Sequence, residues 1–252
     1  MKNIAYNSTF VRYEKKYMLT APQYQQIVSA LADYTVPDVY GQTDIYTIYY
    51  DTPDFLLIRR SLEKPVFKEK LRLRIYGKPE DSSTAFVEIK RKYNKTVYKR
   101  RFPLPYAKAL EYFQNPFGDT QIAREIDYAL HYYPNIQPAM AITYSRVSRI
   151  GKEDPSLRIT FDSDICWKRE PISFDTAFTG VPLLPAGSKL MEIKAAHSIP
   201  LWLARLLTRY SCYPDSFSKY GAAYTALQNK QEPQLKGYNP CKSFLNPLSV
   251  PK

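Results

Sequence analysis

The chain has 252 residues, 44% of them hydrophobic, enough for a sizeable core in one large domain or two small ones. Its 36 Lys and Arg against 24 Asp and Glu leave a net charge of +12, which calls for an anionic partner: nucleic acid, an anionic membrane, or a phosphorylated molecule or polymer. Three widely spaced cysteines and two distant histidines, His131 and His197, give neither a disulfide framework nor a metal spacing, and no apolar run approaches the length of a membrane span or a secretory core, so the default is a cytoplasmic protein.

After a short polar leader, residues 11–18 read as a strand with Arg12, Glu14 and Lys16 on one face. Thr20 with Gln23 three residues on predicts a capping box, and Tyr24, Ile27, Val28 and Leu31 continue it as a helical stripe. Residues 45–50 are rich in β-formers, and Thr52-Pro53 reads as N-cap and first position of a short helix through Phe55, Leu56 and Ile58. The next stretch, Lys70-Leu71-Arg72-Leu73-Arg74-Ile75-Tyr76, places cations on even positions and apolar residues on odd ones. In a strand, Lys70, Arg72 and Arg74 then share one face, with neighbours roughly 7 Å apart. A turn over 78–83 leads to a strand over 85–92, with Glu88, Lys90 and Lys92 on one face and Val87 and Ile89 on the other. A turn at Asn94 and a strand over 96–102, with Val97, Lys99 and Arg101 on one face, complete a hairpin meander.

The period then lengthens, and residues 103–133 read as two helices separated by Asn115-Pro116-Phe117-Gly118. Strand character returns over 139–149, which contains Tyr144-Ser145-Arg146, and over 157–161, where Arg158, Thr160 and Asp162 share a face; residues 165–168 extend it. Residues 171–188 read as a loop, 190–195 as a strand with Glu192 and Lys194 on one face, and 200–210 as an amphipathic helix. Phe217-Ser218-Lys219-Tyr220 then opens a last helix to about residue 228. No linker splits the chain, so residues 1–228 form one expected domain, mainly antiparallel β with helices outside, and 229–252 a polar tail.

Three strands carry the same triplet: Glu14-x-Lys16, Glu88-x-Lys90 and Glu192-x-Lys194. Period-two spacing sets each acid beside a base, and Arg72, Arg74, Lys99, Arg146 and Arg158 add cations to what reads as one charged face of a sheet. Two geometries accommodate that face. It is solvated, with helices covering the other side, or the sheet closes into a barrel of about eight strands with the charges within. Unpaired ions are too costly to bury, so a charged lumen implies a bound polyanion, with acids holding a divalent cation such as Mg2+ or Mn2+.

The chain resembles the triphosphate tunnel metalloenzymes, and within them the catalytic domain of the vacuolar transporter chaperone (VTC) polyphosphate polymerases. The resemblance rests on Arg12-Tyr13-Glu14-Lys15-Lys16-Tyr17, Tyr49-Tyr50-Asp51-Thr52, the Lys70–Tyr76 ladder, Val87-Glu88-Ile89-Lys90-Arg91-Lys92, Tyr144-Ser145-Arg146, Leu157-Arg158-Ile159-Thr160-Phe161-Asp162, Leu190-Met191-Glu192-Ile193-Lys194 and Phe217-Ser218-Lys219-Tyr220, in that order over roughly residues 10–228. It implies an α+β fold: an antiparallel eight-stranded β-barrel tunnel with a charged lumen and helices packed outside. It also implies that Lys16, Arg72, Arg74, Lys90, Lys99, Arg146 and Arg158 hold phosphate oxygens and that Glu192 binds the metal, Mn2+ or Mg2+. Glu14 and Glu88 either assist Glu192 or pair with neighbouring cations. Ser218 matches a substrate contact, and Lys219 a catalytic lysine or an electrostatic clamp; Arg72, Arg74 and Lys90 complete the expected catalytic set. Ser216 departs from the family, whose polymerases tend to have a basic residue two positions before the Ser-Lys pair.

The implied function is an ATP-dependent polyphosphate polymerase, with ATP and polyphosphate as partners. The alternatives are a triphosphate or nucleotide hydrolase of the same fold and a non-catalytic polyphosphate-binding module. Nucleic acid is not expected, because the charged faces lack aromatics interleaved with the cations. A phosphate loop of Walker type is absent from the sequence. Regulation or export would come from a separate membrane or regulatory polypeptide.

Overall fold

The computed structural model describes residues 13–94, 96–172, 174, 178–196 and 198–229. Arg12, His197 and the tail from 230 to 252 lie outside the described residues. In chain order the elements are β1 (Tyr13–Leu19), α1 (Ala21–Leu31), β2 (Thr35–Asp51), α2 (Leu56–Leu62), β3 (Phe67–Tyr76), β4 (Thr84–Tyr93), β5 (Thr96–Pro105), α3 (Tyr106–Gln114), α4 (Gln121–Tyr132), β6 (Gln137–Gly151), β7 (Arg158–Lys168), β8 (Val181–Pro182), β9 (Lys189–Ala195), α5 (Leu201–Arg209), β10 (Pro214–Asp215) and α6 (Lys219–Gln228). The strands form one antiparallel sheet in the order β10-β1-β9-β7-β6-β2-β3-β4-β5, with β8 paired to β7.

Alternation sorts the side chains to two faces. On the convex face, Leu71, Leu73 and Ile75 of β3 and Val87 and Ile89 of β4 are buried with Tyr112 and Phe113 of α3 and Ile126 of α4. Tyr17 and Leu19 of β1, Ile159 and Phe161 of β7, and Met191 and Ile193 of β9 pack under α1 and α5, against Ile27, Leu31, Leu203 and Leu207. Each such side chain contributes about 1.5–3 kcal/mol when fully buried. The predicted box at the start of α1 is present, with reciprocal bonds between Thr20 and Gln23.

The third core lies on the concave face. Ile45 and Tyr49 of β2, Met140, Ile142 and Tyr144 of β6 and Leu190 of β9 face inward and pack against Tyr220 and Ala223 of α6. A Cβ at Gly221 would meet Leu62 Cδ2 at 3.1 Å and Ser218 Oγ at 3.3 Å, so this residue lets α6 sit close to α2. α6 therefore lies within the curl of the sheet, whereas the expectation placed all helices outside.

The mixed α+β class and the antiparallel sheet are as expected. Eight long strands match the expected number; β8 and β10, of two residues each, bring the sheet to ten. Closure is not observed: among the described residues no ladder joins β5 to β1 or β10. Pro103 and Pro105 in β5 and Pro214 in β10 have no N–H to donate, which suits each to a sheet edge. The Thr52-Pro53 helix start is also corrected. Phe55 adopts a left-handed φ of 60°, and the helix begins at Leu56. Thr52 Oγ1 accepts from Leu56 N at 2.9 Å, and the buried Asp51 carboxylate folds back to accept from Leu57 N at 2.8 Å and Ile58 N at 3.0 Å, so the two residues share the free amides of the first turn. Cys212 is a buried free thiol.

Candidate active site

The ladder on β3 builds one wall of the concavity. Register sets Lys70 opposite Lys90, Arg72 opposite Glu88 and Arg74 opposite Phe86 on β4; Glu88 and Lys90 in turn face Arg101 and Lys99 on β5. Glu88 is fully buried and accepts from Arg72 Nε at 2.6 Å, with Lys99 Nζ at 2.8 Å and Arg101 Nη1 at 3.7 Å. Burial alone would push its carboxyl up, but Arg72, Arg74 and Lys99 hold it far below the usual carboxylate range.

Arg74 is placed differently. It is 7% exposed, its Nε reaches Thr47 Oγ at 3.4 Å, and among the described residues no carboxylate lies within 4.0 Å of it. Lys90 likewise has no carboxylate within 4.0 Å among the described residues; burial lowers its ammonium pKa, Glu14 opposes, and Arg72 and Lys16 lower it further. Lys70 donates to Ser218 Oγ at 3.0 Å, and burial, countered by Tyr49 but reinforced by Lys16 and Lys90, draws it down to about 8. Cations without acid partners, held in a partly desolvated space, are an anion site by construction.

The facing wall comes from β1 and β9. Their triplets run antiparallel, so Lys16 opposes Glu192 and Glu14 opposes Lys194. Lys194 Nζ lies 2.7 Å from Glu192 Oε2, and Lys16 Nζ lies 3.7 Å from Glu192 Oε1 and donates to Phe217 O at 3.0 Å. Burial would raise the Glu192 carboxyl, but Lys194, with Lys16 and Arg146, keeps it well below the usual range. Beside Glu192 on β7, Thr160 Oγ is buried without a hydrogen-bond partner among the described residues.

Asp162 on β7 forms the floor. Arg146 grips it through Nε at 2.6 Å and Nη2 at 2.7 Å, and Lys219 pairs with the same carboxylate while its ammonium sits 4.3 Å above the Tyr144 ring. Ser218 caps α6 by accepting from Gly221 N.

The structure thus gathers Lys16, Arg72, Arg74, Lys90, Lys99, Arg146, Ser218, Lys219, Glu14 and Glu192 around one concavity. Arg158 is turned to the rim, half-exposed and bonded to Asp38 Oδ2 at 2.6 Å. Glu88 is engaged by cations of its own wall, apart from the Glu14 and Glu192 pair. Sequence reasoning left Asp162, Thr160 and Lys70 out of the site, although Asp162 alternates with Thr160 and Arg158 on one face. It also expected no aromatics among the cations. Tyr49, Tyr76 and Phe86 stand on the same faces as Arg72, Arg74 and Glu88.

A family model for the VTC domain matches residues 11–228. The chain belongs to the VTC domain family. No curated protein matches the sequence. Among solved structures, this VTC domain is similar to a protein from Bacillus halodurans assigned as an adenylate cyclase, at 13% identity and a TM-score of 0.54, over 84% of this chain and 95% of that one. It is also similar to a Hippeastrum protein assigned as an adenylyl cyclase and described as having a dominant triphosphatase activity, at 13% identity and a TM-score of 0.50, over 86% of this chain and 95% of that one. These likenesses show a shared fold, here as an open, curled sheet. In the described residues of this VTC domain, no helix is long and apolar enough to cross a membrane.

Proposed function

We propose that the chain is an ATP-dependent polyphosphate polymerase, transferring the terminal phosphoryl group of ATP to a growing chain. The observation that carries the reading is the set of inward cations with no carboxylate within 4.0 Å among the described residues, Arg74 and Lys90 foremost, in a domain of the VTC family. Arg72 and Arg74 suit bidentate contact with phosphate oxygens, and Lys16, Lys70 and Lys90 supply point charges. In the transfer, the bond from the terminal phosphorus to the bridging oxygen breaks, a bond to a terminal oxygen of the chain forms, and ADP leaves. Such reactions need positioning and charge stabilisation more than covalent chemistry. The Asp162 carboxylate holds Lys219 beside the helix terminus, so Lys219 acts as a fixed cation rather than a nucleophile in this arrangement.

Glu14 and Glu192 fit a divalent cation. They stand on the neighbouring strands β1 and β9, both beside Lys16, and their oxygen donors suit Mg2+ or Mn2+, which binds by one or two carboxylates plus substrate phosphates. When bound there, the ion would neutralise phosphate charge and orient the substrate.

The test is incubation of purified protein with ATP and Mn2+, followed by a gel that resolves phosphate chains. A polyphosphate ladder with stoichiometric ADP, lost in Glu192→Ala and in Arg74→Ala, is the expected result. Free phosphate without a ladder would identify a triphosphatase, and tight binding without turnover a binding module.

A further inference from the structure

Phe86 is an apolar ring on a charged face. It alternates with Glu88 and Lys90 along β4, is only half-buried, and belongs to none of the three apolar clusters. Tyr76, which follows Arg72 and Arg74 on the inward face of β3, is 41% exposed. The two rings meet edge to face, with centroids 5.8 Å apart at 79°, and the Arg101 guanidinium lies 4.6 Å from the Phe86 centroid. Core packing does not account for these two rings, one exposed and one half-buried, outside every apolar cluster.

Their place along the strand matters. Tyr76 is the outermost inward residue of β3, and Arg74 is the next one in, a step of roughly 7 Å. A ribose bridges a gap of this order between a base and its phosphates. The ring also shares the field of the phosphate site: burial would push the Tyr76 phenol up, yet Arg74, Lys99 and Arg72, against Glu88, bring it down to about 8.

We propose that Tyr76, Phe86 and Arg101 form a stacking shelf for the base of a nucleoside triphosphate whose phosphates occupy the cationic concavity. The inference rests on the phosphate reading of that concavity. The shelf offers ring faces and one guanidinium plane, and stacking tolerates any base because each has a π-face. ATP and GTP are therefore held with similar affinity.

Titration calorimetry of the full chain with ATP and with inorganic triphosphate, both in chelator, tests the shelf. Tyr76→Ala and Phe86→Ala each weaken ATP about tenfold, as loss of one stacking contact does, while inorganic triphosphate stays within about twofold of native. Phe86→Trp retains ATP affinity. Unchanged binding of inorganic triphosphate doubles as the control for folding. The shelf is overturned if both variants bind ATP as the native chain does, or if ATP and inorganic triphosphate weaken together. A native chain that fails to bind inorganic triphosphate at all sinks the phosphate reading, and the shelf with it.

Discussion

Two buried charges on the concave face, Asp162 and Arg74, make opposite contributions. Asp162 is the shared partner of Arg146 and Lys219. Burial would raise its pKa, but Lys219 and Arg146 bring it below the usual value, so it is ionised at neutral pH. Asp162→Asn leaves both cations facing an amide, and breaking a buried pair in this way costs on the order of 3–5 kcal/mol. Urea denaturation is expected to show that loss, partly restored by added inorganic triphosphate, because the anion then answers the freed cations. Arg74 has no carboxylate within 4.0 Å among the described residues, only the more distant field of Glu88. Arg74→Met should leave the urea midpoint unchanged or higher, while loss of one electrostatic donor removes about 2–4 kcal/mol of transition-state stabilisation. Equal destabilisation by both substitutions would mean that Arg74 is structural and the free-cation argument is wrong.

At the scale of elements, α6 is the piece that converts a curled sheet into a site. Its N-terminus places Ser218 against Lys70 and Lys219 against Asp162, and Tyr220 donates to Asp51 Oδ2 at 2.8 Å, the same carboxylate that caps α2. Ser218→Ala removes both the cap of α6 and the acceptor for Lys70. It should lower stability by about 1 kcal/mol in chemical denaturation, with Ser218→Thr near native. No change on Ser218→Ala would mean that concave packing alone holds α6. The helix itself was legible in the sequence, since Tyr220, Ala223, Tyr224 and Leu227 form a stripe. Its position inside the curl was not, because a stripe states that a face is buried and not against what. The same limit explains Thr52-Pro53. The local signal was sound in that Thr52 accepts from Leu56 N, but a left-handed Phe55 delays the helix to Leu56 and Asp51 satisfies the next two amides. The start of β2 was missed because Pro37 and Gly41 break its pattern, and the register shifts between Pro37 and Gln42. Period-two alternation on β3, β4 and β9 made the charged faces legible, but the aromatics among them, Tyr49, Tyr76 and Phe86, were missed. Which charges stay free was unreadable, because pairing depends on register across the curl: it gives Glu88 three close cations and leaves Arg74, among the described residues, without a carboxylate within 4.0 Å.

Over the whole molecule, a site that concentrates cations makes the fold and the ligand respond oppositely to pH. Burial, opposed by Tyr49 at Lys70 and by Glu88 at Lys99, brings both lysines down to about 8. At Tyr49 burial acts upward, but Arg72, Arg74 and Lys70 bring the phenol down to about 8, as Tyr76 is also brought. In the unfolded chain lysine and tyrosine hold their protons to about 10. Between pH 8 and 10 the unfolded state therefore binds more protons than the folded state, so these four groups add stability as pH rises through that window and none below it. A bound polyphosphate favours the opposite forms, protonated lysines and neutral tyrosines. Binding takes up protons near pH 8, and affinity falls above it by up to about tenfold per pH unit for each proton taken up. Titration of inorganic triphosphate at pH 7, 8 and 9 should show that decline, while these groups push the ligand-free melting temperature upward over the same range. Flat affinity would place Lys70 and Lys99 outside the ligand's field. Because the two trends have opposite sign, a general alkaline loss of structure cannot produce both, and the pair of measurements isolates the charge of the concavity itself.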